Sequence, residues 1–109
     1  MNGEKLKEVI EILSRYNNES FVDYYQLFGF DKNLSLDELK NQIRRKRLQI
    51  LFHPDQIHSI PKEYHEKYLK MIEVVKDVIN TFDNYQNKEK YDIKLKQTQG
   101  FTNNSYYNY

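Results

Sequence analysis

His53, Pro54 and Asp55 set an imidazole, a rigid ring and a carboxylate side by side. They end the stretch RRKRLQILFHPDQ, Arg44 to Gln56, which opens with Arg44, Arg45, Lys46 and Arg47 and no acidic residue among them. Lys40 adds a cation one helical turn earlier. Several chemistries could use such a set. His53 and Asp55 could form an acid–base pair near Ser59, but no nucleophile, oxyanion donors or pocket accompany them, so no enzyme activity is expected. The histidines 53, 58 and 65 with Asp55 could gather a metal. Yet His53 and Asp55 flank a proline, and His58 and His65 lack helical ligand spacing, so neither metal nor cofactor is expected. The cations could grip phosphate while the ten tyrosines stack on bases. That alternative, a nucleic-acid-binding helical domain using the Arg44–Arg47 patch, leaves the His-Pro-Asp corner without a role.

Length and composition bound the rest. The 109 residues make one domain at most. Net charge is +1, so an acidic or nucleic-acid partner must be met by a local patch rather than by the chain as a whole. Cysteine is absent, which excludes disulfides, thiol catalysis and cysteine-ligated zinc. The first residues, MNGEKLKEVIEIL, lack the apolar run of a secretory signal, and no segment has the apolar length of a membrane span. A soluble, cytoplasmic chain is expected.

The periodicity that must position the corner is helical throughout. Residues 4–16 show one apolar face, Leu6, Val9, Ile10 and Leu13, at three- and four-residue steps. Ser20, with Asp23 three residues later, is expected to cap a short helix that Gly29 ends. Ser35 and Glu38 form a capping box for one long helix reaching Phe52, with Leu36, Leu39, Ile43, Ile50 and Leu51 as its apolar stripe. Pro54 stops it. After a short connection, Pro61 opens a helix from about Lys62 to Phe82, striped by Tyr64, Tyr68, Met71, Val75, Ile79 and Phe82 and widened by Leu69, Ile72 and Val78. A last short helix is expected over Gln86–Lys96, and residues 97–109 are expected to be disordered. Two long helices joined by a short loop pack antiparallel, which puts the corner at the exposed tip of a hairpin. The partition is residues 1–18 as an amino-terminal amphipathic helix, 19–96 as the main domain, and 97–109 as a tail.

In this order the pattern resembles the J domain of DnaJ-type co-chaperones. DYYQLFGF (Asp23–Phe30) is similar to the family's opening segment, and SLDELKNQIRRKRLQILFHPD to its second helix and tripeptide. YLKMIEVVKDVINTF is similar to the third helix, and NKEKYD (Asn87–Asp92) to the closing segment. There are departures. The Leu39–His53 interval is two residues longer than usual, so the excess is looped or bulged near the helix start, or the packing register differs. Arg45 stands where an aromatic is usual, Gln56 where a lysine often follows the tripeptide, and Val75-Lys76 at the alanine-aromatic step. About three extra residues precede the closing segment, and the amino-terminal helix lies outside the resemblance.

The resemblance implies an all-α, J-domain-like antiparallel hairpin with short flanking helices and an additional amino-terminal one. It implies a co-chaperone that docks on a DnaK-type 70-kDa heat-shock chaperone and stimulates its ATP hydrolysis. The partner-binding residues would be Lys40, Arg44, Arg45, Lys46, Arg47, His53, Pro54, Asp55 and Gln56. The amino-terminal helix must bury its apolar face on something, because a helix this short is marginal alone. Docking on its own domain, against the third or closing helix, is expected ahead of capture by a second protein partner.

Overall fold

The computed structural model describes the backbone of residues 1–107 and the side chains of residues 1–99. Among the described residues there is helix and no strand. The order is α1 (Gly3–Arg15), α2 (Tyr24–Phe28), α3 (Leu36–Arg45), α4 (Leu48–Leu51), two 3-10 turns (Pro54–Ser59 and Lys62–Tyr64), α5 (His65–Thr81) and α6 (Tyr85–Tyr107). None of these helices is long and apolar enough to cross a membrane.

Local chemistry accounts for most of the boundaries. Asn2 caps α1 by accepting from the Lys5 amide at 2.9 Å. Asp23, not Ser20, caps α2, its carboxylate accepting from the Gln26 amide at 3.2 Å. Gly29 ends α2 in the left-handed conformation (φ 73°), which costs a glycine little. The Ser35–Glu38 capping box forms in full. His53 is extended (φ −127°, ψ 142°), the geometry a following proline imposes. Asn84 caps α6, receiving the Asn87 amide at 2.8 Å.

The long second helix is two helices. Arg47 adopts the left-handed conformation (φ 52°, ψ 42°), which ends α3 and starts α4. A side chain with a Cβ is strained there. The break resets the helical phase, so Leu48 and Leu51 enter the core at 1% and 2% exposure. Ile50, expected on the core stripe, is instead 51% exposed. The interruption in this region therefore lies in its middle, at Lys46–Arg47.

The core sits between α5 and everything else. Tyr68, Met71, Ile72, Val75 and Val78 of α5 are buried, while Leu69, expected to widen that stripe, points to solvent at 53% exposure. Leu51 and the His53 backbone meet α5 near its start at Tyr68, whereas Lys40–Ile50 lies beside Ile79–Asp83 at its end. This is the antiparallel hairpin. Phe82 stands edge-on to Tyr24, Tyr25, Phe30 and Tyr91, fastening α2 and α6 to the hairpin.

Helix α1 packs on α2 and α5. Val9, Ile12, Leu13 and Tyr16 are buried in the common core, with Leu6 beside them. Ile12 takes the place expected of Ile10, which is only half-buried. Arg15 also donates to the Leu27 carbonyl at 3.0 Å, tying α1 to the end of α2. The apolar face that capture by a second protein would need is thus already spent.

Helix α6 runs well past Lys96, so the stretch after residue 96 that was expected to be disordered continues as helix to Tyr107, and its last two residues lie outside the described ones. No proline interrupts it, and extending a nucleated helix costs little. Thr98 returns its hydroxyl to the Lys94 carbonyl, and Gln99 reaches back to the Asp23 carboxylate at 2.9 Å.

Candidate functional site, the hairpin tip and the basic helix

The tip is built from the backbone outward. Pro54 starts a 3-10 turn that Gln56 closes by donating its amide to the His53 carbonyl at 2.9 Å. The fixed proline ring and this short turn leave His53 and Asp55 few alternatives. The His53 Nδ1 accepts from the Asp55 amide at 3.1 Å, and the Asp55 Oδ2 lies 3.5 Å from the same nitrogen. The first contact requires a bare Nδ1 and the second becomes an ion pair only when that nitrogen is protonated. Both side chains remain open to solvent, at 53% and 87% exposure, so they are presented and not enclosed.

One buried side chain holds this tip to the rest of the molecule. The Tyr68 hydroxyl donates to the Leu51 carbonyl at 2.6 Å, lies 3.0 Å from the His53 carbonyl, and accepts the His53 amide at 3.0 Å. Its ring packs on Phe52 with centroids 5.5 Å apart. Burial raises the Tyr68 pKa above the ordinary tyrosine value, against a smaller lowering by the His53 backbone. Sequence periodicity gave Tyr68 only a core position. Its polar role could have been suspected from a tyrosine at the centre of a core stripe, since a buried hydroxyl needs a partner.

The basic residues are divided by the break at Arg47. Arg44, Arg45 and Arg47 are exposed, while Lys40 and Lys46 are half-buried. Lys40, Arg44 and Arg47 line one groove together with Ile79 and Phe82 of the α5 end. Lys46 lines a different one, beside Glu4, Glu8 and Glu11 of α1. Among the described residues none of the five cations forms an ion pair, and Arg44 is held only by Asn41 at 3.3 Å. Unpaired cations on a helix give a local positive field that net charge conceals. Gln56 is half-buried on the tip turn. The other histidines do not converge on His53 as ligands: His58 is exposed, and the His65 ring is engaged with the Ile60 carbonyl at 2.6 Å.

A second polar set secures the opening and closing segments. The Tyr91 hydroxyl accepts the Tyr24 amide at 2.8 Å and donates to the Val22 carbonyl at 2.6 Å. Tyr24 donates to Asp77, and Tyr25 to Asp92, which Lys88 also pairs at 2.7 Å. Burial first, then the carboxylate contacts, push the Tyr24 and Tyr25 phenols far above their ordinary range. The residues DYY and KEKYD are thereby a structural clasp, 67 residues apart in sequence at Tyr25–Asp92.

The all-helical fold thus presents a His-Pro-Asp tip to solvent, with a cationic helix leading to it. The chain is 30% identical over 93 residues to the DnaJ homolog subfamily C member 7 proteins of Homo sapiens and Mus musculus, covering 82% of this chain. It is 26% identical over 92 residues to the DnaJ homolog subfamily C member 7 homolog of Dictyostelium discoideum, covering 84%. This similarity supports a J-domain-type family for the chain. It spans only 17–18% of the length of these relatives. No family model and no solved structure matches it.

Proposed function

We propose that this domain is a co-chaperone module that docks on the ATP-bound form of a DnaK-type 70-kDa heat-shock chaperone and stimulates its ATP hydrolysis. The observation that carries this reading is the exposed His53–Pro54–Asp55 tip anchored from beneath by Tyr68. A rigid tip binds with less loss of freedom than a mobile one. Cations on the adjoining helix steer and orient a fast, weak encounter. In this reading Arg44, Arg45, Lys46 and Arg47 find an acidic surface of the chaperone, with Lys40 and Gln56 at the margins. His53 and Asp55 then favour its hydrolysing state by binding that state more tightly. The domain does no chemistry of its own; the chaperone is the enzyme. The cytoplasm is the proposed compartment.

Single-turnover ATP hydrolysis by a DnaK-type chaperone, with and without this domain, is the test. Wild type is expected to accelerate hydrolysis, and His53→Gln to abolish that acceleration with an unchanged circular dichroism spectrum. Tight, steeply salt-dependent binding of nucleic acid, with no acceleration by the wild type, would overturn the reading.

A further inference from the structure

The break at Arg47 leaves a groove of about 350 Å³ between the α3–α4 corner and the end of α5. Its apolar surface comes mainly from Ile43, Ile50 and Ile79, over the buried Leu48 and Phe82. Ile50 is 51% exposed because the left-handed residue turned it off the core stripe. Three cations, Lys40, Arg44 and Arg47, line the same groove against one carboxylate, Asp83. The size matches one or two inserted side chains and is too small to seat a helix.

We propose that this groove is a binding site for an acidic, apolar peptide segment of a partner protein, which inserts aliphatic side chains onto Ile50 and Ile79 and sets carboxylates against Lys40, Arg44 and Arg47. The charge pattern selects the occupant. An apolar floor between cations suits a segment that alternates apolar and acidic residues. A phosphate backbone has no use for the apolar floor. The site is separate from the His53–Asp55 tip but shares cations with the proposed chaperone surface, so an occupied groove would compete for them. Its existence does not depend on the chaperone reading.

The test uses the full chain, isotope-labelled, titrated with a short capped peptide in which two leucines alternate with glutamates. A twin with lysine in place of every glutamate is the control. The methyl signals of Ile43, Ile50 and Ile79 are expected to shift with the acidic peptide and to stay in place with the twin. Ile50→Glu, at a solvent-facing position, is expected to weaken binding at least about tenfold with an unchanged melting temperature. Lys40→Glu is the second variant, expected to weaken binding and to reduce its salt dependence. Equal binding of the twin, shifts confined to other residues, or unaltered affinity in both variants would overturn the proposal. So would a peptide-free chain that sediments as a dimer and shifts the Ile43, Ile50 and Ile79 methyl signals on dilution. Because the readout is peptide binding, it is independent of ATP hydrolysis, and either proposal can fail alone.

Discussion

At the residue scale, Tyr68 matters to the tip as much as the tip residues do. It is 0% exposed, and removing its hydroxyl takes a partner from the buried Leu51 carbonyl and from the part-buried His53 amide and carbonyl. Tyr68→Phe is therefore expected to cost about 1–3 kcal/mol, the desolvation penalty of unpaired groups, measured by urea denaturation. Amide exchange at His53 should accelerate more than exchange in α6; uniform acceleration would mean that the hydroxyl serves global stability alone. Tyr24, Tyr25, Tyr68 and Tyr91 also make stability pH-dependent. Their folded pKa values lie above the ordinary value of 10.0. The folded state holds these protons more tightly, so stability is complete below pH 10 and declines as pH rises through the folded values. Urea denaturation on either side of pH 10 should show this decline, and Tyr24→Phe should make it shallower.

At the scale of elements, the Arg47 corner decides which cations act together. The left-handed backbone there makes substitution unusually informative. Arg47→Gly removes the strain at some entropic cost, and stability is expected to stay level or rise by up to about 1 kcal/mol. Arg47→Ile puts a β-branched side chain into the same conformation and is expected to lose about 1–3 kcal/mol. If the glycine variant were the less stable of the two, the corner would not be left-handed in solution. Helix α1 carries a second prediction. Leu13 is 0% exposed in the shared core, so Leu13→Ala should cost about 2–5 kcal/mol, read as a lower denaturation midpoint. A helix held only by a partner would show no change in the purified protein.

At the scale of the whole molecule, 17 basic and 16 acidic side chains nearly cancel, yet the positive field is concentrated around α3 and α4. Reversing Arg44, Lys46 and Arg47 to Glu should slow association with the chaperone, more at low salt than at high, while dissociation changes less. Surface plasmon resonance at two ionic strengths separates the rates. An unchanged association rate at low salt would remove the basic face from docking and leave the tip alone. The amino-terminal helix contributes to this distribution as well, because its Glu4, Glu8 and Glu11 line the groove that Lys46 enters.

Local chemistry was legible in the chain itself. The capping box at Ser35, the stop at Gly29, the proline corner and the all-helical pattern depend on neighbours a few residues apart, and each appears where those neighbours require it. The run from Leu36 to Phe52 was not legible, because no glycine or proline marks Arg47 and a continuous helix satisfies every local preference. Packing decided it: a two-helix path buries Leu48 as well as Leu51, and that burial outweighs one strained residue. The same holds for Tyr68, Tyr91 and Ile12. Sequence identified each as apolar or aromatic, but their partners, from Leu51 to Val22, lie on other elements. Only the assembled core chooses which side chain meets which backbone, since that choice depends on residues brought together by folding and not on those adjacent in the chain.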